Sequence, residues 1–511
     1  MFLMTKHKML DALIKLKQLV LSNKLFFLVI FAGLIWELTV FYRFPKEAWI
    51  DGLMQGWYMS QGLVIYKDTS SMYFPILYLL MIPFHQVFGF TQTPTLLLAP
   101  INSLLLFMLL SFTSWKWLKG WFRILPLVFF LIWEPYLGAN RFSSTAFLNT
   151  MTFIVFILWW KWFERPQKIT AFLMGLFLGV SMLTVQIVGL FVGVVVFSVF
   201  LKYWVERRYP DSLTSVLAGF FLPITFVLLW LISHNALSDF WTRAIAYYFA
   251  GSGYPYSMGR GLDNILVFIA VFSSLSLLFR NIQLQLSNSR KGNDSLRYVF
   301  LTLILLSFAI PFWFAVFHYS RFQSSLAICS FVFGFTIQQL LVSKKKNVIF
   351  NRFMIGIIVA VNVFGIYQVL IPKYRYNFNF PIEKTVLTKV YKDDPFLEVI
   401  RWVRKNTPDN AKILAMTDSL IYLETNRLPV NAHATSNLPV VYEPLDQFKQ
   451  KIKNQPPDYW IIDERQWKRF NEFGYEKTAK LLQKILSCET EAAKIEYITI
   501  KKHEKGKPVC I

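Results

Sequence analysis

Asp51 stands a few residues beyond the first long apolar run, in the order Trp49, Ile50, Asp51, Gly52, with Trp57 and Tyr58 following. A carboxylate at a membrane interface, in an aromatic and apolar setting, can accept the proton of a hydroxyl or hold a divalent cation beside a lipid phosphate. An ordinary helix N-cap or a solvated loop acid has the same sequence appearance. A second chemistry-bearing stretch is 234 to 262, rich in Tyr, Trp and Gly, with Arg243 and Arg260 as its cations. Sugar rings stack on such aromatic faces, guanidinium groups hold phosphate, and glycine-rich loops can close over a ligand. The aromatic belt of a membrane protein has the same composition. Metal clusters of Cys or His, a phosphate-binding glycine loop, a GxSxG elbow and an HExxH helix are all missing from the sequence, which argues against nucleotide-driven pumps and the common hydrolases.

These residues must be positioned by a membrane scaffold. Hydrophobic residues make up 55% of the 511 and charged residues only 16%, well below the quarter usual in soluble domains. Apolar runs near bilayer length recur at 25–42, 94–113, 123–138, 145–162, 169–185, 186–203, 214–233, 263–279, 298–317, 322–342 and 352–371, so about eleven transmembrane helices are expected. The net charge of +23 would suggest nucleic acid on a soluble protein, but its distribution explains it otherwise. With the N-terminus cytoplasmic, the inner segments hold 22 Lys and Arg and the outer loops before residue 373 hold seven. This positive-inside bias sets the orientation and leaves no role for nucleic acid. An odd number of spans then puts the C-terminus outside.

The segment 74–90 is apolar but interrupted by Pro75, Pro83 and His85, and counting it as a span would reverse every later loop. It is read as an interfacial helix on the outer surface. The chain therefore divides into a cytoplasmic segment 1–24, a transmembrane domain 25–372 with an outer loop 43–93, and a hydrophilic extracytoplasmic α/β domain 373–511. Within the last, Asp394 to Lys405 has helical spacing. Ala411 to Met416 and Tyr459 to Ile462 read as buried strands, and Lys494 to Lys501 as an alternating one. Cys488 and Cys510 could form one disulfide in an oxidising compartment or remain two free thiols.

The order of features from Arg43 to Gly89 resembles the first outer loop of the membrane-embedded GT-C glycosyltransferases: an acid followed by Gly, a short helix, Gly62, the Tyr66 to Asp68 element, then a Pro-led aromatic helix ending in Phe-Gly. The likeness is to the branch of bacterial aminoarabinose transferases and protein O-mannosyltransferases. Gly175 to Gly189 is similar to the family's tight pair of spans, although Val185 stands where Lys is often found. His318 to Phe322 is similar to its cationic element before a late span.

The resemblance implies a GT-C-type transmembrane domain with outer interfacial helices. It also implies a transferase in the cell membrane that moves a sugar from a polyprenyl-phosphate donor to a hydroxyl on a lipid, glycan or protein acceptor, with inversion. Asp51 would be the general base, and His318, Arg321, Arg243 and Arg260 would contact the donor phosphate. Asp68 or Glu134 would be a second acid, since Thr145 occupies the place where an Asp is expected. A divalent cation (Mg, Mn or Ca) on Asp51 and Asp68 is the candidate cofactor. The competing readings are a polysaccharide ligase or polymerase, a transporter or flippase, and a non-catalytic relative.

Overall fold

The computed structural model describes residues 23–43, 50–69, 71, 73–90, 93–137, 142–206, 210–246, 273, 276–277, 292–314, 323–342, 348–367, 371–372, 375, 395–417, 419–430, 445–467, 476–504 and 506–510. Helices dominate as far as residue 365. They are α1 (Lys24–Arg43), α2 (Ile50–Ser60), α3 (Ile76–Phe88), α4 (Thr93–Trp117), α5 (Leu125–Trp133), α6 (Ser144–Glu164), α7 (Lys168–Met182), α8 (Gly189–Glu206), α9 (Pro210–Ser233), α10 (Gly292–Phe314), α11 (Leu326–Val342) and α12 (Val348–Gly365). Each apolar run read from the sequence coincides with one of them, except 263–279, which lies almost wholly outside the described residues.

Among the described residues six helical stretches are long and apolar enough to cross a membrane: Lys24–Phe41, Leu96–Trp117, Gly120–Leu137, Ser144–Glu164, Ser212–Ser233 and Gln323–Leu341. Shorter apolar helices accompany them at Lys168–Met182, Gly189–Trp204, Leu296–Phe308 and Ile355–Gly365. The chain is a multi-pass membrane protein. Lipid tails supply no hydrophobic drive between helices, so close association in a bilayer depends on small residues that let backbones meet. The α7–α9 pair uses this device. A Cβ on Gly175 would lie 2.0 Å from the Val216 carbonyl oxygen, and one on Gly219 would lie 2.1 Å from that of Phe172.

Residues 395–510 form a mixed sheet with helices on both faces. Strands β1 (Ile413–Met416), β2 (Tyr459–Asp463), β3 (Thr490–Ile495) and β4 (Ile498–Lys502) lie in the order β1-β2-β4-β3, with β1 parallel to β2 and the other pairs antiparallel. Alternate side chains of a strand face opposite sides. Leu414, Met416, Trp460 and Ile462 therefore meet helices α15 (Leu445–Asn454) and α16 (Glu476–Ser487) through Phe448, Ile452, Leu482 and Ile485. Ile413, Ala415, Ile461 and Ile500 face α13 (Pro395–Asn406) and α14 (Leu420–Thr425). The stretch expected as one strand at Lys494–Lys501 is instead a hairpin turning at Glu496, whose φ is 49°. Its turn lacks Gly, Asn or Asp and is held from outside: Glu464 N–H donates to the Tyr497 carbonyl at 2.9 Å, and the Arg465 guanidinium lies 3.5 Å from the Tyr497 ring centre. Cys488 and Cys510 are joined in a disulfide that closes the C-terminal end.

Gly219→Val is expected to lower the stability of the detergent-solubilised protein by about 3 kcal/mol or more, because backbone blocks any relaxation. The equivalent change at Gly193, whose Cβ would meet nothing within 4 Å, is expected to leave the melting temperature near that of the wild type.

Candidate functional site

Asp51 is the second residue of α2, where a carboxylate suits the positive end of the helix dipole. The helix is held from two sides. Leu53, Met54, Trp57 and Tyr58 recur at one-turn spacing and are buried in the cluster that contains Val399, Ile400, Ile421, Tyr422, Ile461 and Ile500. A helix from the segment between α1 and α3 thus completes one face of the C-terminal sheet. Tyr58 and Tyr422 have ring centres 6.5 Å apart, and the Tyr422 hydroxyl accepts from Ala415 N–H at 2.8 Å. Burial pushes both phenols above their ordinary pKa. On another side, Gly56 lets the His85 ring of α3 approach so closely that a Cβ would lie 2.9 Å from its Cδ2. His85 is fully buried and stacks on Phe90, and burial lowers its pKa.

The chain leaves α2 through a tight turn with Gly62 and Tyr66 at positive φ, 83° and 68°. Asp68 closes the turn: its Oδ2 accepts from Val64 N–H at 2.8 Å, and its own N–H donates to the Val64 carbonyl at 2.8 Å. Tyr66 is buried and donates to the Tyr73 carbonyl at 2.6 Å. Thr69 donates to the buried Gln55 Oε1 at 2.8 Å and so ties the turn back to α2. The Tyr-x-Asp element therefore has a demonstrable architectural part.

Arg243 comes to the same turn. It lies in a π-helical stretch, Trp241–Ala246, that follows the short helix Leu237–Phe240. Phe240 packs edge-on against Tyr66 at 5.1 Å, Gln186 Nε2 donates to the Ala244 carbonyl at 2.7 Å, and Arg243 Nη1 donates to the Thr69 carbonyl at 3.4 Å. Asp239 Oδ1 lies 4.0 Å from Arg243 Nη2. Val185, at the turn between α7 and α8, is fully buried.

Glu134 lies elsewhere, at the C-terminal end of α5 and 3% exposed. Ser103 Oγ on α4 is 2.9 Å from Glu134 Oε1 and 2.6 Å from Oε2 of the buried Glu37 on α1, so one hydroxyl bridges two carboxyl groups from three helices. Thr145 donates to Gln323 Oε1 at 3.0 Å. His318, Arg321, Arg260 and the side chain of Asp51 lie outside the described residues. Among the described residues no group of three or more His, Cys, Asp or Glu could hold a metal ion, and Asp68 already commits one oxygen to Val64. Sequence reasoning missed Glu37 and Ser103. A lone acid in the first apolar run was the available signal for Glu37, whereas a serine in a span carries none.

The chain shares its fold with ArnT. Two solved structures of ArnT from Cupriavidus metallidurans, one bound to undecaprenyl phosphate and one in the apo state, each superpose with a TM-score of 0.52 over 94% of this chain and 98% of theirs, at 11% and 10% identity. The Archaeoglobus fulgidus oligosaccharyltransferase in its apo form is a more distant neighbour, with a TM-score of 0.48, 11% identity and coverage of 86% of this chain and 70% of its own. No family model and no curated protein sequence matches the chain.

Ser103→Ala removes the only hydroxyl shared by Glu37 and Glu134 among the described residues. It is expected to cost about 1–3 kcal/mol of stability in thermal denaturation. At His85 the lowered pKa means that folding favours the neutral ring. Stability should hold above the ordinary histidine pKa of about 6.5 and fall as pH drops below it, since the unfolded chain then binds the proton more readily. Melting curves across that window should show the decline in the wild type and a flatter profile in His85→Gln.

Proposed function

We propose that the chain transfers a sugar from a polyprenyl-phosphate donor to an acceptor hydroxyl on the outer face of the cell membrane, with inversion at the anomeric carbon. The observation that carries this reading is the end-to-end likeness to ArnT, whose structure was obtained with undecaprenyl phosphate bound. The orientation is N-terminus in and C-terminal unit out, with about eleven spans. The charge asymmetry of the loops supports it, as does the Cys488–Cys510 disulfide, which suits an oxidising compartment.

In the proposed step the acceptor oxygen attacks the anomeric carbon as the bond from that carbon to the phosphate oxygen breaks. The hydroxyl proton passes to the Asp51 carboxylate, and the electron pair of the broken bond leaves with polyprenyl phosphate. A phosphate leaving group needs little protonation, so one base can suffice. The developing negative charge calls for cations. Arg243, against the 64–69 turn, is the described candidate, and His318, Arg321 and Arg260 are the further ones. The double anchoring of α2, by the C-terminal sheet and by α3, supports the assignment of the base to Asp51, because a general base must be held within hydrogen-bond reach of the proton it takes.

The purified protein should release free polyprenyl phosphate from the correct member of a panel of polyprenyl-phosphate sugars when a membrane extract supplies the acceptor. Asp51→Asn should slow that release by about 10²–10⁴-fold. Full activity in Asp51→Asn would remove the general-base assignment. Arg243→Ala should weaken turnover as well, with Arg243→Lys recovering part of it.

A further inference from the structure

The turn that leaves α2 and the C-terminal sheet enclose a cleft of ≈ 470 Å³, within the size range of small-molecule sites. Its wall is built from two distant parts of the chain. Leu63, Lys67 and Asp68 come from the outer loop, whereas Lys412, Leu428, Pro429 and Lys451 come from the C-terminal unit. Three lysines therefore face one carboxylate, and that carboxylate already accepts from Val64 N–H.

The backbone behind these lysines is fixed. Lys412 directly precedes β1, and its N–H donates to Asp458 Oδ2 at 2.8 Å. Pro429 bridges to Ile413, and Val430 N–H donates to the Ile413 carbonyl at 3.0 Å. Lys451 lies in the last turn of α15, and Asn454 and Gln455 extend the wall beyond it. On the opposite side, Leu63 N–H donates to the Tyr58 carbonyl at 3.0 Å, which ties the rim to the helix that bears Asp51.

This lining specifies a ligand class. The ammonium groups call for phosphate or carboxylate, the two amides offer donors and acceptors for hydroxyl groups, and the leucine and proline surface matches the C–H face of a sugar ring. No lining residue belongs to a membrane-spanning helix, so the occupant need not be the lipid-borne donor. We propose that the cleft binds an anionic saccharide through Lys67, Lys412 and Lys451, and that this saccharide is the acceptor. The acceptor role rests on the transferase reading above; the binding does not.

The test uses the full-length protein in nanodiscs, with trehalose 6-phosphate as a soluble phosphorylated saccharide and trehalose as its neutral twin. Inorganic phosphate is the bare anion, and phosphatidylinositol 4-phosphate discs are the lipid-borne source of a phosphorylated ring. The phosphorylated sugar, free or lipid-borne, should bind more tightly than either trehalose or inorganic phosphate, and which form binds identifies the source. The Lys412→Ala/Lys451→Ala variant should weaken that binding about tenfold or more, and the corresponding double Arg variant should restore it. Lys453→Ala, on the same helix but outside the cleft lining, should bind as the wild type does.

Equal binding of trehalose, equal binding of inorganic phosphate, or undiminished binding by the double Ala variant would overturn the proposal. Polyprenyl phosphate release, measured on the same preparations, separates the two readings. Release without lysine-dependent binding removes the cleft assignment alone, and lysine-dependent binding without release from any donor removes the transferase.

Discussion

One packing interaction governs the part of the molecule around the C-terminal sheet: the burial of Leu53, Met54, Trp57 and Tyr58 against it. A sheet of four strands with apolar residues on both faces needs a layer on each side. One face is covered by α15 and α16 from its own stretch of sequence. The other is covered by α13, α14 and a helix from more than three hundred residues upstream. Full burial of Leu53 and Met54 contributes about 1.5–3 kcal/mol apiece by area arguments, and the two aromatic residues add more. The C-terminal unit and the segment between α1 and α3 are therefore parts of a single folding problem.

The consequence reaches the candidate chemistry through geometry. Asp51 lies one turn before this buried face, Gly56 presses against His85 on another, and Gln55 receives the Thr69 hydroxyl from the turn that follows. That turn in turn carries Asp68 and meets Arg243. The acid Asp51, a cation some 190 residues away and the rim of a basic cleft are thereby connected through one short helix. Loops carry function when a scaffold holds them rigid, and here the scaffold is the contact with the sheet.

Inside the bundle two other constraints operate. Gly175, Gly179 and Gly219 bring the α7 and α9 backbones into direct contact and so support the outer turn that reaches Ile76 and Ala244. Glu37, Ser103 and Glu134 join α1, α4 and α5 through polar groups where apolar packing alone would leave register loosely determined. This arrangement gives Glu134 a structural explanation that its position beside Pro135 did not reveal.

Helix positions, the change of composition after residue 372 and the general class of fold were legible in the sequence. Each depends on local periodicity or on charge counted along the chain. Two kinds of feature were not legible. The hairpin at Glu496 uses a turn without turn residues, because Glu464 and Arg465 hold it from another element. The partnerships of α2 with the sheet, of Arg243 with Thr69 and of Glu37 with Glu134, and the shared cleft lined by Lys67 and Lys412, join residues tens to hundreds of positions apart. Amino-acid order by itself determined which segments form apolar helices and where chemistry-bearing side chains are available, since transfer free energy and backbone periodicity act locally. Which of those side chains meet was decided only by the tertiary structure, because burial and hydrogen bonding reward proximity in space irrespective of distance along the chain.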